Sequence, residues 1–545
     1  MPTLSDVTTL TSLLVRARET FPKAPLSFVG SDGEERTWTT DSFAESASRV
    51  AAGFRGMGVS PGQPVLVVSL GAEYFALAFW GALLLGAKPV PMAPEPRRLG
   101  QVWELLEQPP IATTSDLIAR PDVLFPDPDV AQVLEFLSIE DALSAQPLDA
   151  WHEGGPGDVA LLQFSSGSTR RPRGIMLTHH NVIENVRQMV SRLEASSQDV
   201  LVNWMPLYHD MGLIGGHIAP LAIGASQIKL SAQDVARDPV GWWRIVHRHA
   251  ASILLAANMS LAASARRVSA EAIAELEFSS VRAMVLGAEH ISWRVLKSFF
   301  DRFVPRGLSP DALLPAYGLA EATLAVTMAA PGEGVTVYQF DREALAMSRR
   351  AELTGDPHAA RFIDLGAPLD GVEVRVVDDA QRVLSPGSVG EVQVRGDSVA
   401  LGYWGEPHVS SEVFGEDGWL RTGDVGVLLE GRVCITGRER ELIILDGHHF
   451  FASDLEDLVR EASGWGEGRA LVVGVFDEDI GAERVVCFVA QRGASVDSLL
   501  PRLYASRAAL REAVGLSDVT MMILPGEDFP RTTSGKLRRV TLQHR

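Results

Sequence analysis

Apolar and polar positions recur along this chain with two different periods, and the switch between them predicts its architecture. From Asp41 to Met57, the residues Phe43, Ala47, Val50, Ala51, Phe54 and Met57 fall at helical spacing, which predicts an amphipathic helix capped by Gly58. Residues 64–70 form an apolar run expected as a buried strand, 74–87 a buried helix and Lys88–Met92 a second strand. Strand, helix, strand with apolar strands implies a parallel sheet covered on both faces. The same reading gives strands at Val159–Phe164, 252–256, 281–286 and 313–315, and helices at 179–193 and 242–250. Another helix begins at 262–267, and a helical stretch is expected to begin at Tyr317. Residues 106–157 carry many Pro, Asp and Gly residues and read as irregular surface. From Ala367 the texture turns to strands, at 372–377, 391–395 and 432–436, separated by Gly/Asp turns. Beyond a boundary near Arg440 a small unit is expected, with helices at 452–461 and 498–514 and strands at 470–475 and 484–490. The expected fold class is therefore α/β, with a large domain over residues 1–438 and a small α+β domain over 439–545.

Composition narrows the possible functions. A chain of 545 residues is long enough for two or more domains with a large core. A formal net charge of −20 argues against sequence-independent nucleic-acid binding and leaves acidic partners to local basic patches. Cys434 and Cys487 both sit in apolar runs and read as core residues of a reducing compartment. The first residues lack a basic stretch followed by an apolar one, so no signal peptide is expected. The longest apolar run, 74–87, is too short to span a bilayer. A cytoplasmic protein without membrane insertion is the expectation.

Several polar stretches could carry chemistry. In 161–178 an apolar run stops at Ser165; Ser166, Gly167, Ser168 and Thr169 follow, then Arg170, Arg171 and Arg173 around Pro172. Small hydroxyls and exposed N–H groups can wrap an oligophosphate and the arginines can balance its charge, although such a stretch also suits a plain surface loop. It is not a Walker loop, since no Gly-Lys-Ser/Thr closes it. His209 beside Asp210 could serve as a base or phosphate donor, or merely cap a turn. Glu321 could be a helix-face carboxylate or an oxygen ligand for Mg²⁺. Asp424, in Arg421-Thr-Gly-Asp424, suits a turn and also suits a ribose diol, because one carboxylate accepts two O–H bonds. The tail Pro530-Arg-Thr-Thr-Ser-Gly-Lys-Leu-Arg-Arg539 reads at minimum as a solvated basic end.

Taken in order, the hydroxyl loop, Tyr317–Thr323, the Arg421–Asp424 turn, the Gly437–Gly447 hinge and the terminal Thr-Ser-Gly-Lys536 resemble the acyl-adenylate-forming superfamily over nearly the whole chain. Within it the chain is most similar to the fatty acyl-AMP ligases, through Leu162-Gln-Phe-Ser-Ser-Gly-Ser-Thr-Arg170, Trp204-Met-Pro-Leu-Tyr-His-Asp-Met-Gly-Leu213, Gly287-Ala-Glu289 and Tyr317-Gly-Leu-Ala-Glu-Ala-Thr323. Phe340-Asp-Arg-Glu-Ala-Leu345, continuing to about Asp364, looks like the extra segment that these ligases carry and CoA ligases lack. In that family it restrains the small domain from the rotation that admits CoA.

The resemblance implies an adenylate-forming domain with parallel sheets and a distorted β-barrel, followed by a mobile lid. It implies ATP and Mg²⁺ as cofactors and an acyl carrier protein as partner. Lys536 would bridge the substrate carboxylate and the α-phosphate, with His209 lining the α-phosphate and acyl entrance. Ser165, Ser168, Thr169 and Arg173 would hold the β/γ-phosphates, Ser166 and Gly167 of the same loop would also bind ATP, and Glu321 would hold the metal. Gly287, Ala288, Glu289 and Tyr317, with Gly318, Leu319 and Ala320, would frame the nucleotide. Asp424 would grip the ribose, supported by Arg438. Arg440 would be the hinge, and Asn258, Met259 and Leu261 would line the acyl pocket. Three stretches depart from the family: 257–262 reads Ala-Asn-Met-Ser-Leu-Ala instead of a Pro-Asn-Phe-Ala-Tyr type, His290 replaces a usual Pro, and Gly447-His-His-Phe-Phe replaces Gly-Arg-Asn-His-Tyr-Pro. The rival expectations are an acyl-CoA synthetase using free CoA and a catalytically idle nucleotide-binding homologue.

Overall fold

The computed structural model describes residues 4–164, 172–445, 448–477, 482–491, 493, 496–515, 519–526, 529 and 539–542. The predicted amphipathic helix runs Thr40–Gly56 and starts with a reciprocal cap: the Ser42 amide donates to Thr39 Oγ1 at 3.2 Å and the Thr39 amide to Ser42 Oγ at 3.0 Å. Its apolar face, Phe43, Ala47, Val50, Ala51 and Phe54, is wholly buried. It packs on the apolar helix Ala72–Leu85, which links strand Pro64–Val68 to its parallel neighbour Lys88–Met92. Those strands, with Ile111–Thr113 and Phe136–Ser138, make a four-stranded parallel sheet.

A second, nine-stranded sheet holds the centre of the large domain. Its strands Ser226–Lys229, Val200–Asn203, Ile253–Ala256, Ala283–Leu286 and Leu313–Gly318 run parallel, side by side in that order. Their C-terminal ends share one edge, where an open α/β sheet characteristically builds its site. Strands Val159–Phe164 and Gly174–Thr178 form a separate antiparallel pair, and the β-rich part is an antiparallel sheet of Glu373–Val377, Gly390–Arg395, Leu420–Leu429 and Arg432–Arg438.

Some expectations change. The helix expected to begin at Tyr317 is absent: Tyr317 and Gly318 end a strand, Ala320–Ala322 makes a single 3₁₀ turn, and Ala325–Met328 returns antiparallel. Gly318 explains the fold-back, since a Cβ there would stand 1.7 Å from the Leu324 carbonyl oxygen. Asp424 lies inside the strand Leu420–Leu429, just before a bulge at Val425/Gly426, rather than in a free turn. The helix expected from Ala262 begins earlier, at Asn258.

The small C-terminal domain has its own core, including Ile443, Leu455, Val459, Trp465, Val472, Cys487 and Leu510. Helices Ala452–Ser463 and Val496–Val514 pack on a three-stranded sheet whose third strand, Val519–Pro525, was not anticipated. Both cysteines are fully buried and unpaired, and burial pushes their thiols up. Among the described residues no helix is long and apolar enough to cross a membrane.

A polar network is buried between the two sheets. Trp80 Nε1 donates to His217 Nε2 at 2.9 Å, and His217 Nδ1 lies 3.0 Å from Gln227 Oε1, which assigns a neutral ring. Pro220 has no N–H for the carbonyl four residues before it; Lys229 Nζ donates to that oxygen, on Gly216, at 3.0 Å. Lys229 is 2% exposed with no carboxylate partner among the described residues, and burial lowers it from 10.5 to about 7. Between about pH 7 and 10 the unfolded chain therefore binds the extra proton, so this group makes stability rise with pH at up to about 1.4 kcal/mol per pH unit. The Lys229→Met variant is expected to lose that slope, which denaturant unfolding of both proteins at pH 7.5 and 9.5 measures directly.

Candidate active site

The C-terminal edge of the central sheet opens into a cavity of about 1330 Å³ that reaches the small domain. Asn203, the last residue of its strand, organises one rim: its Oδ1 accepts from the Met205 amide at 2.8 Å and its Nδ2 reaches the Gly212 carbonyl at 3.3 Å. Gln163, near the end of Val159–Phe164, donates to the Tyr208 carbonyl at 3.0 Å. These bonds hold the loop that presents His209, whose Nδ1 sits 2.6 Å from Asp210 Oδ1. The π-helix Met211–Ile218 follows immediately.

Opposite, Glu321 sits on the 3₁₀ turn after the Leu313–Gly318 strand. Its Oε1 accepts from Tyr403 Oη at 3.0 Å. Burial, with the nearby Asp210 charge adding, pushes the Glu321 carboxyl above its ordinary value despite that bond. Tyr403 also lies 5.4 Å below the Arg173 guanidinium, and Arg173 Nε is 3.3 Å from Glu406. Tyr403 and Glu406 were missed by sequence reading. They approach because the Met176 amide bonds to Gly402 and the Trp404 amide to Gly174, stitching this segment to the strand after Arg173.

Tyr317, Asp424 and Arg438 form a third cluster. Tyr317 Oη donates to Asp424 Oδ2 at 2.8 Å and Arg438 Nε lies 3.0 Å from Asp424 Oδ1. Burial first, then Asp424, pushes the Tyr317 phenol well above its ordinary range. Beside it, Gly287, Ala288 and Glu289 extend from the Ala283–Leu286 strand. Ala288 holds φ +71°, a left-handed backbone that an alanine adopts only at a cost. Glu289 Oε1 accepts from the Met259 amide at 2.6 Å, tying this loop to the helix Asn258–Arg267.

The cavity thus brings together Arg173, His209, Asn258, Met259, Gly287, Ala288, Glu289, Tyr317, Gly318, Leu319, Ala320, Glu321, Asp424, Arg438 and Arg440. Leu261 is not among its walls; it points from the same helix into the core and is fully buried. Ser165, Ser166, Gly167, Ser168, Thr169 and Lys536 lie outside the described residues. Sequence reading also missed an apolar arm of the cavity, lined by Gly215, Leu255, Leu324, Ala219, Ile223 and Leu201. It follows the sheet from the polar rim toward the opposite ends of the strands, and its residues come from segments that individually read as plain core.

A carboxylate-and-tyrosine cluster, a His–Asp loop and an apolar arm at the switch edge of a parallel sheet fit an acid-activating, nucleotide-using enzyme. Comparison with known proteins agrees: residues 15–404 match the family model of the AMP-binding enzymes, and the chain belongs to that family. It is 33% identical over 512 residues to the 4-hydroxyphenylalkanoate adenylyltransferase of Mycobacterium tuberculosis, covering 88% of this chain and 81% of that one. It is 32% identical to the long-chain-fatty-acid–AMP ligase FadD26 of Mycobacterium marinum, covering 89% and 87%. A structure from work on fatty acyl-adenylate ligases of E. coli and L. pneumophila superposes with a TM-score of 0.90 at 28% identity, over 99% of this chain and 97% of that one. The protein is an acid–AMP ligase of the fatty acyl-AMP ligase type, forming acyl-AMP from a carboxylic acid and ATP.

Proposed function

We propose that this ligase activates an extended, apolar carboxylic acid and passes the acyl group to the phosphopantetheine thiol of a carrier protein. The observation that carries the reading is the single cavity joining the polar clusters to the apolar arm. The acid carboxylate attacks the α-phosphorus of ATP, a P–O bond forms and pyrophosphate leaves. A thiol then attacks the acyl carbon, the C–S bond forms, the C–O bond to AMP breaks, and the thiol proton passes to solvent.

In this reading His209 faces the α-phosphate, Asp424 with Arg438 takes the ribose, and Gly287, Ala288, Glu289 and Tyr317–Ala320 frame the adenine. Ser165–Thr169 and Arg173 hold the β/γ-phosphates. Asn258 and Met259 border the acid, whose chain follows the apolar arm. Glu321 would hold Mg²⁺, which stabilises charge on phosphate oxygens. The Glu321 carboxyl lines the cavity with Oε1 on the Tyr403 hydroxyl, and Mg²⁺ needs only one or two carboxylates besides phosphates and water. The domain boundary at 438/439, the hinge at Arg440 and a cytoplasmic location belong to the same proposal.

Transfer to a carrier rather than to free CoA is favoured by the 340–364 segment. It is a hairpin, Val337–Phe340 paired with Ala360–Ile363, and from it Arg342 and Arg361 reach Asp454 and Glu461 of the small domain. The test is pyrophosphate release with ATP, Mg²⁺ and acids of graded length. Release that grows with chain length, followed by thioester on a holo-carrier and little on CoA, is the expected result. No release with any acid would overturn the proposal; efficient CoA thioester would replace it with a CoA synthetase.

A further inference from the structure

The small-domain helix Ala452–Ser463 carries Asp454, Asp457 and Glu461 at spacings of three and four, hence on one face. Each acid meets the large domain. Arg342 forks onto Asp454, with Nε–Oδ2 2.8 Å and Nη2–Oδ1 2.9 Å, and Arg361 reaches Glu461 at 2.8 Å. Both arginines belong to the inserted hairpin.

The middle acid is met by a different part of the core. His290 Nε2 stands 3.5 Å from Asp457 Oδ2, and Ser292 Oγ donates to Asp457 Oδ1 at 3.4 Å. Arg294, on the next turn, donates through Nη1 to the Arg460 carbonyl at 2.5 Å. Burial opposes charge on Asp457, but Arg460 and His290 hold its carboxyl well below the usual range. The core side is rigidly mounted: the Ser292 amide donates to Asn258 Oδ1 at 3.0 Å, and Asn258 begins the helix that Glu289 ties down.

We propose that His290, Ser292 and Arg294 form a second clasp on the small domain, independent of the insertion. The two clasps together set how readily that domain leaves the orientation seen here, and so which thiols reach the acyl adenylate. The inference rests on the two-step reading above. It follows from geometry: a rigid helix gripped along one face swings away only if the whole row lets go. Pairs that are each weak alone then act as a unit on one two-state element. These are positioning residues; the acids they hold belong to the lid, not to the reacting atoms.

The test compares the wild-type chain with a combined His290→Ala, Ser292→Ala, Arg294→Ala variant, with Arg294→Ala alone, and with Arg342→Ala. The first readout needs no chemistry: trypsin cleavage at the exposed hinge residue Arg440 is expected to run about 3- to 10-fold faster in the combined variant. The second is the ratio of CoA thioester formed to pyrophosphate released, expected to rise about 10-fold, and further when Arg342→Ala is added. A merely destabilised enzyme loses both activities together and leaves the ratio unchanged. Unchanged hinge cleavage and an unchanged ratio, in the combined variant or in Arg294→Ala should the former not fold, overturn the second clasp. If the wild type releases no pyrophosphate with any acid, the proposed function fails, while the cleavage comparison still decides the clasp.

Discussion

Replacing Lys536 with alanine is expected to cut pyrophosphate release about 1000-fold with every acid, while transfer from supplied acyl adenylate to a thiol stays within about 3-fold. The first half-reaction drives a carboxylate onto a phosphate, so two anions must close to bonding distance. A compact ammonium on a flexible stem is suited to sit between them, and arginine's broad planar fork is not. Three residues beyond Lys536, Arg539 shows how the tail is tied. Its Nε and Nη2 donate to the two oxygens of Glu456 at 2.7 and 2.8 Å, and its Nη1 to Glu441 at 2.7 Å. Glu456 is 2% exposed in the middle of the lid helix, and Glu441 closes the turn that contains Arg440. The tail end is therefore tied both to the small domain and to the turn that contains Arg440. A continuous pyrophosphate assay beside a thioester assay separates the two steps, and full release by Lys536→Ala would exclude this role.

The second large effect concerns the acid. In Gly215→Leu, a Cβ would stand 3.2 Å from Leu324 Cδ2 and 3.9 Å from Leu255 Cδ1, so the rest of the side chain must occupy the apolar arm. Acids of about ten carbons or more are expected to lose about 100-fold in kcat/KM, and acids of about four carbons less than about 3-fold, since each displaced methylene is worth about 1 kcal/mol or more in a closed pocket. Competition between a long and a short acid for the same enzyme reads the switch in one experiment. Equal losses across the series would place the acyl chain elsewhere.

How much of this was legible in the sequence depended on whether the signal was local. The Thr40–Gly56 helix and the strands beside it were readable, because burial of one face writes a period into consecutive residues. Tyr317–Thr323 was not: its helix-forming residues lose to the pairing of two strands, and only the contact between Gly318 and Leu324 reveals why. Asp424 announced itself as a turn residue yet sits in a strand, since a bulge supplies the bend that a turn would have. Val519–Pro525 was passed over between a helix and a basic tail, although it completes a sheet. The candidate polar residues could be named because each lies in a compact motif. The apolar arm could not, because Gly215, Leu255 and Leu324 come from three segments and each resembles ordinary core. The row Asp454, Asp457, Glu461 drew no reading beyond its helix, because its partners lie 100 to 167 positions away.

In the proposed function, where Asp424 takes the ribose, the Tyr317–Asp424–Arg438 cluster bears on which nucleotide sugar is accepted. Asp424 is 4% exposed, and one lone pair on each of its oxygens is already engaged. A vicinal diol fills the two that remain. A 2′-deoxy sugar leaves one acceptor dry inside the protein, at about 1–3 kcal/mol. On that reading the pocket distinguishes ATP from dATP by its wall rather than by the base.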